Sequence, residues 1–242
     1  MSSESHPQWL DEQEPLEPEA SAAQIASLQH VLGSLAESND RRLKVLELGC
    51  GAGRIVTSLV NLPVDITAVD RDQETLAACR DALGDASSSV VLKELDFLTQ
   101  PWPDGPFDAV ICLGNTFMTI VELDRAVSFL QQASAAMATG GLLVLDDLPG
   151  DFWPDLVEGN WQSGVSDDGQ AQMIWDQRDS VFAVRYGDAV DLGCWDFKPT
   201  DRRMRLWADS TLRLACRIAG LSEAAVQPGL FVMVAAADDG QA

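Results

Sequence analysis

Val45-Leu46-Glu47-Leu48-Gly49-Cys50-Gly51-Ala52-Gly53-Arg54 is the stretch on which the reading of the fold turns. An apolar run enters a turn with three glycines at alternate positions, and a helical pattern follows. Glycine lets the backbone turn tightly and approach a ligand closely, and the helix N-terminus then opens beside that ligand. A dinucleotide-binding loop reads G-x-G-x-x-G. Counted from Gly49, its third glycine would fall at position 54, which is Arg54; the third glycine is instead Gly53. The spacing argues against a pyrophosphate seat, and so against a nicotinamide oxidoreductase.

Outward from this loop, strand and helix patterns alternate. Strands are expected at Leu43–Leu48, Val64–Val69, Val90–Leu95, Ala109–Leu113 and Leu142–Leu145, and helices at Arg54–Asn61, Gln73–Leu83 and Leu123–Ala138, the last closed by Gly140-Gly141. Continuous apolar strands alternating with helices predict an α/β fold, a doubly wound, mostly parallel sheet covered on both faces. Upstream, Ser21 is expected to cap a helix to about Leu35, with Ile25, Leu28, Val31, Leu32 and Leu35 on one face. Residues 1–20, rich in Glu, Ser and Pro, read as a flexible arm. Residues 21–150 form the core, and 151–207 an antiparallel insert with hairpins at Met173–Tyr186 and Cys194–Trp207. Residues 208–242 return to the sheet, with a helix capped by Asp209 or Ser210 to about Ala219 and strands near Ala224–Val226 and Leu230–Ala235.

Carboxylates end three of these strands: Glu47, Asp70 and Asp96. Asp70 lies 21 residues after Gly49, where a carboxylate can accept both ribose hydroxyl protons of a nucleoside. The three acids flank one sheet edge, the edge at which open α/β sheets bind ligands. Taken alone, Asp70 or Asp96 reads as a helix cap or turn residue. Loop and acids together resemble the E/D-x-G-x-G-x-G region of class I S-adenosylmethionine-dependent methyltransferases. The resemblance covers residues 43–147. Phe107-Asp108-Ala109-Val110-Ile111-Cys112-Leu113-Gly114-Asn115-Thr116-Phe117 extends it toward glycine and sarcosine N-methyltransferases. The later arrangement is similar to aminosugar N-methyltransferases. It implies a Rossmann-like seven-stranded sheet with an insert after the fifth strand, and S-adenosylmethionine as cofactor with S-adenosylhomocysteine as product. The implied cofactor-binding residues are Glu47, Gly49, Cys50, Gly51, Gly53, Asp70, Arg71, Asp96, Phe97 and Leu113. Arg54 is placed by position near the methionine carboxylate, and Trp9 of the arm is placed over the cofactor.

Methyl transfer from a sulfonium depends mainly on positioning the acceptor in line and excluding water. Asn115 is the leading polar candidate at the reacting centre, able to orient an amine or to shape a turn. Asp146 is the second catalytic candidate, able to take a proton or to cap its strand end. Trp153, Trp161, Trp175 and Trp195 either line a substrate cavity or form the insert's own core. Arg203 and Arg205, two apart on an expected strand, share a face that holds a substrate carboxylate or meets solvent. Metal-dependent O-methyltransferases carry an acid directly after the fourth strand; Cys112-Leu113-Gly114-Asn115 has none, so no metal is expected.

With 16 Lys plus Arg against 38 Asp plus Glu, the formal charge is −22. Such a surface repels nucleic acid and anionic lipid and tolerates a cationic amine. Five scattered cysteines without a CxxC pair suggest reduced thiols and a cytoplasmic setting. The expected function is methylation of a small molecule, at an amine nitrogen rather than a hydroxyl, with a homodimer as one possible assembly. The alternatives are a small-molecule O-methyltransferase and a non-catalytic cofactor-binding regulatory module.

Overall fold

The structure is a computed structural model that describes residues 18–146, 163–166, 168–176, 178–224 and 227–235. The first half alternates except between β3 and β4: α1 (Pro18–Asn39), β1 (Leu43–Leu48), α2 (Arg54–Leu59), β2 (Val64–Asp70), α3 (Gln73–Leu83), β3 (Val90–Glu94), β4 (Phe107–Cys112), α4 (Leu123–Ala136) and β5 (Met137–Asp146). The second half gives β6 (Ala171–Asp176), β7 (Val181–Tyr186), β8 (Met204–Arg205), α5 (Asp209–Ile218), β9 (Leu221–Glu223) and β10 (Leu230–Ala235). One seven-stranded sheet has the order β3-β2-β1-β4-β5-β10-β9, and β6-β7-β8 form a second, antiparallel sheet. β1 through β5 pair parallel, while β10 runs antiparallel to β5 and β9. The result is the expected doubly wound α/β sheet.

β1 and β4 are buried almost throughout because helices cover both faces. One apolar layer, with Leu28, Leu32, Ile55, Leu76 and Cys79, lies between the sheet and α1, α2 and α3. The other, with Phe117, Phe129, Leu130, Trp207, Leu212 and Phe231, lies under α4 and α5. The small sheet rests on the segment that follows β4: Met118 packs with Phe182 and Met204, joined by the half-buried Trp175 and Leu206.

Several element ends differ from the sequence reading. α1 begins at Pro18 rather than after a Ser21 cap, since proline suits a first helical turn that needs no N–H partner. The Ser21 hydroxyl instead accepts from Arg54 Nη1 at 3.0 Å. α4 stops at Ala136, so Gly140-Gly141 do not close it. They lie in β5, where residues 138–141 bulge opposite Asp108 between the Phe107–Met137 and Ala109–Leu142 pairs. A Cβ on Gly141 would stand 2.8 Å from the Ala138 carbonyl. Neither Asp209 nor Ser210 caps α5: Ala208 holds that position, and the Asp209 carboxylate accepts from Arg213 Nη2 at 2.8 Å. β9 lies at Leu221–Glu223, earlier than the expected 224–226.

The expected second hairpin, Cys194–Trp207, is absent, and only Met204–Arg205 pairs, with β7. A buried cation explains this. Arg185 of β7 donates to the Cys194 and Asp196 carbonyls (2.8 and 2.7 Å) and to both oxygens of Asp201 (2.9 and 2.8 Å). Residues 190–201 therefore wrap around a guanidinium instead of extending along a neighbour. Desolvation of such a cation is offset only when all its donors are used.

Candidate active site

The glycine turn sits at the C-terminal end of β1, in the middle of the sheet. Gly49, Gly51 and Gly53 have φ values of +72°, +55° and +93°, a left-handed region that favours glycine. The turn is tied to the next strand, because the Gly49 and Cys50 N–H groups both donate to the Val69 carbonyl (2.8 and 3.0 Å). Space matters as much as torsion. A Cβ on Gly49 would approach Thr116 Cγ2 to 2.5 Å, and one on Gly53 would approach Cys79 Sγ to 2.7 Å. The side chains of Cys50 and Cys79 face each other in the buried layer. A hydrogen bond between them, then burial, pushes the Cys50 thiol up; the same bond lowers the Cys79 thiol, against burial.

Glu47, on β1, is buried and its Oε2 has no hydrogen-bond partner. Burial, with Cys79 and Asp70 nearby and Arg54 opposing, pushes its carboxyl up to about 8. A buried carboxyl oxygen without a partner is uncommon in folded proteins and calls for an explanation, such as an absent ligand. Asp70 ends β2 beside the turn: Oδ2 accepts from Gly51 N and Oδ1 from Asp72 N, both at 3.0 Å. A carboxylate has about four acceptor sites, so Asp70 retains capacity for a diol. Asp96 follows β3 and organises its own turn, accepting from Leu98 N and Thr99 Oγ1 at 3.0 Å. Phe97 is half buried, edge-on to Phe129 at 5.7 Å.

After β4 the chain turns at Leu113, Gly114 and Asn115; Leu113 is buried, and Gly114 and Asn115 have φ values of +74° and +61°. Asp146, at the end of β5, shapes this turn. Its Oδ1 accepts from Gly114 N (3.1 Å) and its Oδ2 from Asn115 N (2.9 Å), and Gln24 Nε2 of α1 donates to Oδ1 at 3.1 Å. Burial pushes the Asp146 carboxyl up, opposed by those three donors. Gln24 was not singled out in the sequence. It also donates to the Gly229 carbonyl (3.1 Å) and accepts from Arg54 Nη2 (2.9 Å), so one amide joins α1, the glycine turn, β5 and the start of β10. The only signal for it was a polar residue one turn before Leu28 on the buried face of α1. Arg54 is thus bonded to Ser21 and Gln24.

The insert residues divide. Trp175 stacks on Phe182 (5.5 Å, 24° between planes) inside the small sheet's own core. Trp195 is 47% exposed, covers Gly164 and donates to the Leu192 carbonyl. Trp153, Trp161 and Trp9 lie outside the described residues. Arg203 and Arg205 do not share a face, because β8 begins only at Met204. Arg203 is exposed with its guanidinium 4.7 Å from the Phe197 ring centroid, whereas Arg205 is buried and donates to the Val121 and Asp179 carbonyls (both 2.6 Å). Trp207, not singled out in the sequence, lies in the second apolar layer against Phe117, with centroids 5.3 Å apart. Arg71 is exposed at the end of β2. Burial, and then the charge of Arg71, lowers the Arg202 guanidinium of the insert.

The strand order, the reversed β10, and the glycine turn flanked by strand-end acids define the class I S-adenosylmethionine-dependent methyltransferase fold. Residues 45–141 match a family described as "Methyltransferase domain", and the chain carries such a domain. It is 34% identical over 130 residues to glycine N-methyltransferase of Oryctolagus cuniculus, across 48% of this chain and 43% of the relative. The match therefore spans under half the length of that relative. The CcbJ methyltransferase of Streptomyces caelestis superposes with a TM-score of 0.65 at 19% identity, covering 94% of this chain and 96% of that one. The sugar N-methyltransferase KedS8 of Streptoalloteichus gives 0.61 at 18% identity, covering 98% and 95%. No helix among the described residues is long and apolar enough to cross a membrane.

Proposed function

We propose that this chain transfers a methyl group from S-adenosylmethionine to an amine nitrogen of a small molecule. The observation that carries the reading is the unpartnered carboxyl oxygen of Glu47 beneath a turn that three positive-φ glycines keep open. The residues fit the cofactor: Glu47 Oε2 offers an acceptor to a cationic amino group, Asp70 has capacity for the ribose diol, and the side of Phe97 offers an apolar surface for the base. Asp96, committed to its own turn, takes part only with its remaining acceptor capacity. When bound, the sulfonium supplies an electrophilic methyl group.

The acceptor belongs at the turn after β4. Asp146 holds Gly114 and Asn115 in their left-handed conformation, which leaves the Asn115 side-chain amide available to orient a nitrogen. Asp146 itself, buried and raised, is placed to receive the proton the amine sheds. The preference for nitrogen is supported by the acidic surface and by the glycine and sugar N-methyltransferases that this chain resembles. The deciding assay supplies S-adenosylmethionine with separate panels of small amines, phenols and carboxylic acids, and measures S-adenosylhomocysteine release. Turnover confined to amines is expected. Turnover confined to phenols or acids would keep the methyltransferase and remove the nitrogen assignment. For the site itself, Asp70→Ala is expected to weaken S-adenosylmethionine binding by at least about tenfold in calorimetry, the loss of charged hydrogen bonds; unchanged affinity would remove Asp70 from the site.

A further inference from the structure

Two cysteines meet beneath the glycine turn, and nothing in the proposed reaction uses them. Cys50 is the second residue of the turn, and Cys79 lies in the middle of α3. Both are free thiols buried in the layer between the sheet and its first three helices. The backbone of Cys50 is fixed from both sides: its N–H donates to the Val69 carbonyl and its carbonyl accepts from Gly53 N, each at 3.0 Å. Cys79 Sγ lies against the third glycine, 2.7 Å from where a Gly53 Cβ would stand. The two thiols are hydrogen-bonded to each other.

The pair is asymmetric. Cys50 donates and Cys79 accepts, which favours the thiolate on Cys79 and the thiol on Cys50. Burial opposes the thiolate, and the charge of Arg80 adds to its support. A thiolate is the form that attacks an oxidant, and a second thiol in contact converts the first oxidation product into a disulfide. What the pair spans matters as much. Asp70 joins the same two elements: Oδ2 accepts from Gly51 N of the turn and Oδ1 from Asp72 N, both at 3.0 Å, and Asp72 caps α3 by accepting from Glu74 N. A sulfur–sulfur bond is much shorter than a hydrogen bond between thiols. Linking Cys50 to Cys79 therefore draws the turn and α3 together on either side of the carboxylate assigned to the ribose diol.

We propose that Cys50 and Cys79 form a redox-active dithiol that a peroxide oxidises to a disulfide, and that the disulfide lowers the affinity of the turn for the cofactor. Only the second half rests on the cofactor reading above. The Cys79 thiolate attacks one oxygen of hydrogen peroxide; the O–O bond breaks, Cys79 becomes a sulfenic acid and hydroxide leaves. The Cys50 sulfur then attacks the sulfenic sulfur, and its proton leaves with the displaced hydroxide as water. Two thiols and one peroxide give one disulfide and two waters. Because both thiols are buried, oxidation follows local opening of the turn, and a ligand seated on the turn slows it.

The test uses Cys194→Ser protein, which lacks the half-buried thiol most open to side reaction. It is treated with hydrogen peroxide, with and without S-adenosylhomocysteine; free thiols are alkylated and the peptides mapped without reduction. A peptide pair joined through Cys50 and Cys79 is expected, formed more slowly when the ligand is present. Calorimetry before oxidation, after it, and after reduction with dithiothreitol should show affinity for S-adenosylhomocysteine fall by about tenfold, the value of one charged hydrogen bond, and then return. Cys79→Ala in the same background should form no such pair and keep its affinity through the treatment. The reversible arm changes neither cysteine, so a poorly folded Cys79→Ala does not decide the outcome. Cysteines 50 and 79 left free, carried to sulfinic acids or paired elsewhere overturn the proposal, and so does a joined protein that binds as tightly as the reduced one. If the reduced protein does not bind S-adenosylhomocysteine, the cofactor reading falls and takes the second half of the proposal with it, while the peptide map still decides the dithiol.

Discussion

Glu47 is a residue whose chemistry is strongly altered by its place. Its carboxyl is pushed from about 4.5 up to about 8 by burial. Below the lower value both folded and unfolded chains hold the proton; between the two values only the folded chain does. Stability without ligand should therefore be fully present near pH 4.5 and decline as pH rises toward 8. Thermal melts of the ligand-free protein across that window should show this decline, and Glu47→Gln, which cannot ionise, should flatten it. A cation bound against Glu47 favours the ionised form. Calorimetry of S-adenosylmethionine binding at neutral pH in buffers of different ionisation enthalpy should thus show proton release, lost in Glu47→Gln. Asp146 carries structure as well as chemistry. Asp146→Ala leaves the Gly114 and Asn115 N–H groups and the Gln24 amide without their acceptor, and should cost about 2–4 kcal/mol in denaturant unfolding.

At the scale of the element, the glycine turn and the turn after β4 are built against each other. Gly49 has a positive φ and no room for a Cβ, because Thr116 Cγ2 would stand at 2.5 Å. Gly49→Ala should therefore weaken both fold and cofactor binding. Part of that loss is contact and part is torsion. A Gly49→Ala/Thr116→Ser double variant removes the methyl and should recover some stability, though not that of the original chain, since the backbone strain remains. Melting temperatures of the three variants would check this; no recovery in the double variant would show that strain alone decides. The bulge in β5 is a second such device. Gly140 and Gly141 look like a helix stop in the sequence, and only the pairing of β5 with β4 shows that they help absorb three extra residues within a strand.

For the whole molecule, charge and ligand binding set the stability. A formal charge of −22 makes the compact state repel itself, and screening relieves this within about 8 Å at physiological ionic strength. Raising neutral salt from low concentration should raise the melting temperature, where a protein held by surface ion pairs would be weakened. The insert is attached to the core through Arg205, whose guanidinium bonds Val121 ahead of α4, and through the Met118, Phe182 and Met204 contacts. Its own interior depends on Arg185. Arg185→Met should speed amide exchange in residues 190–201 and leave β1, β2 and β4 protected, because the two regions share no hydrogen bonds to that guanidinium.

Periodicity and the glycine spacing by themselves determined the parallel sheet, its strand positions in the first half, and the glycine turn with Glu47 and Asp70 at one edge. These follow from local rules: apolar runs of strand length, helix patterns between them, and turn residues whose torsions few others adopt. What only the tertiary structure decided are the roles set by partners distant in sequence. Gln24 reads as one polar residue on a helix until β5 and β10 are brought beside it. Arg205 reads as a ligand for a carboxylate or a solvated side chain until its acceptors are found on Val121 and Asp179. Cys194–Trp207 reads as a hairpin until Arg185 claims its carbonyls. Trp207 reads as one tryptophan among five in residues 151–207 until its indole N–H is found buried without a hydrogen-bond partner. A sequence shows which groups can bond and how the backbone turns locally; which donor meets which acceptor across a hundred residues is fixed only when the sheet assembles.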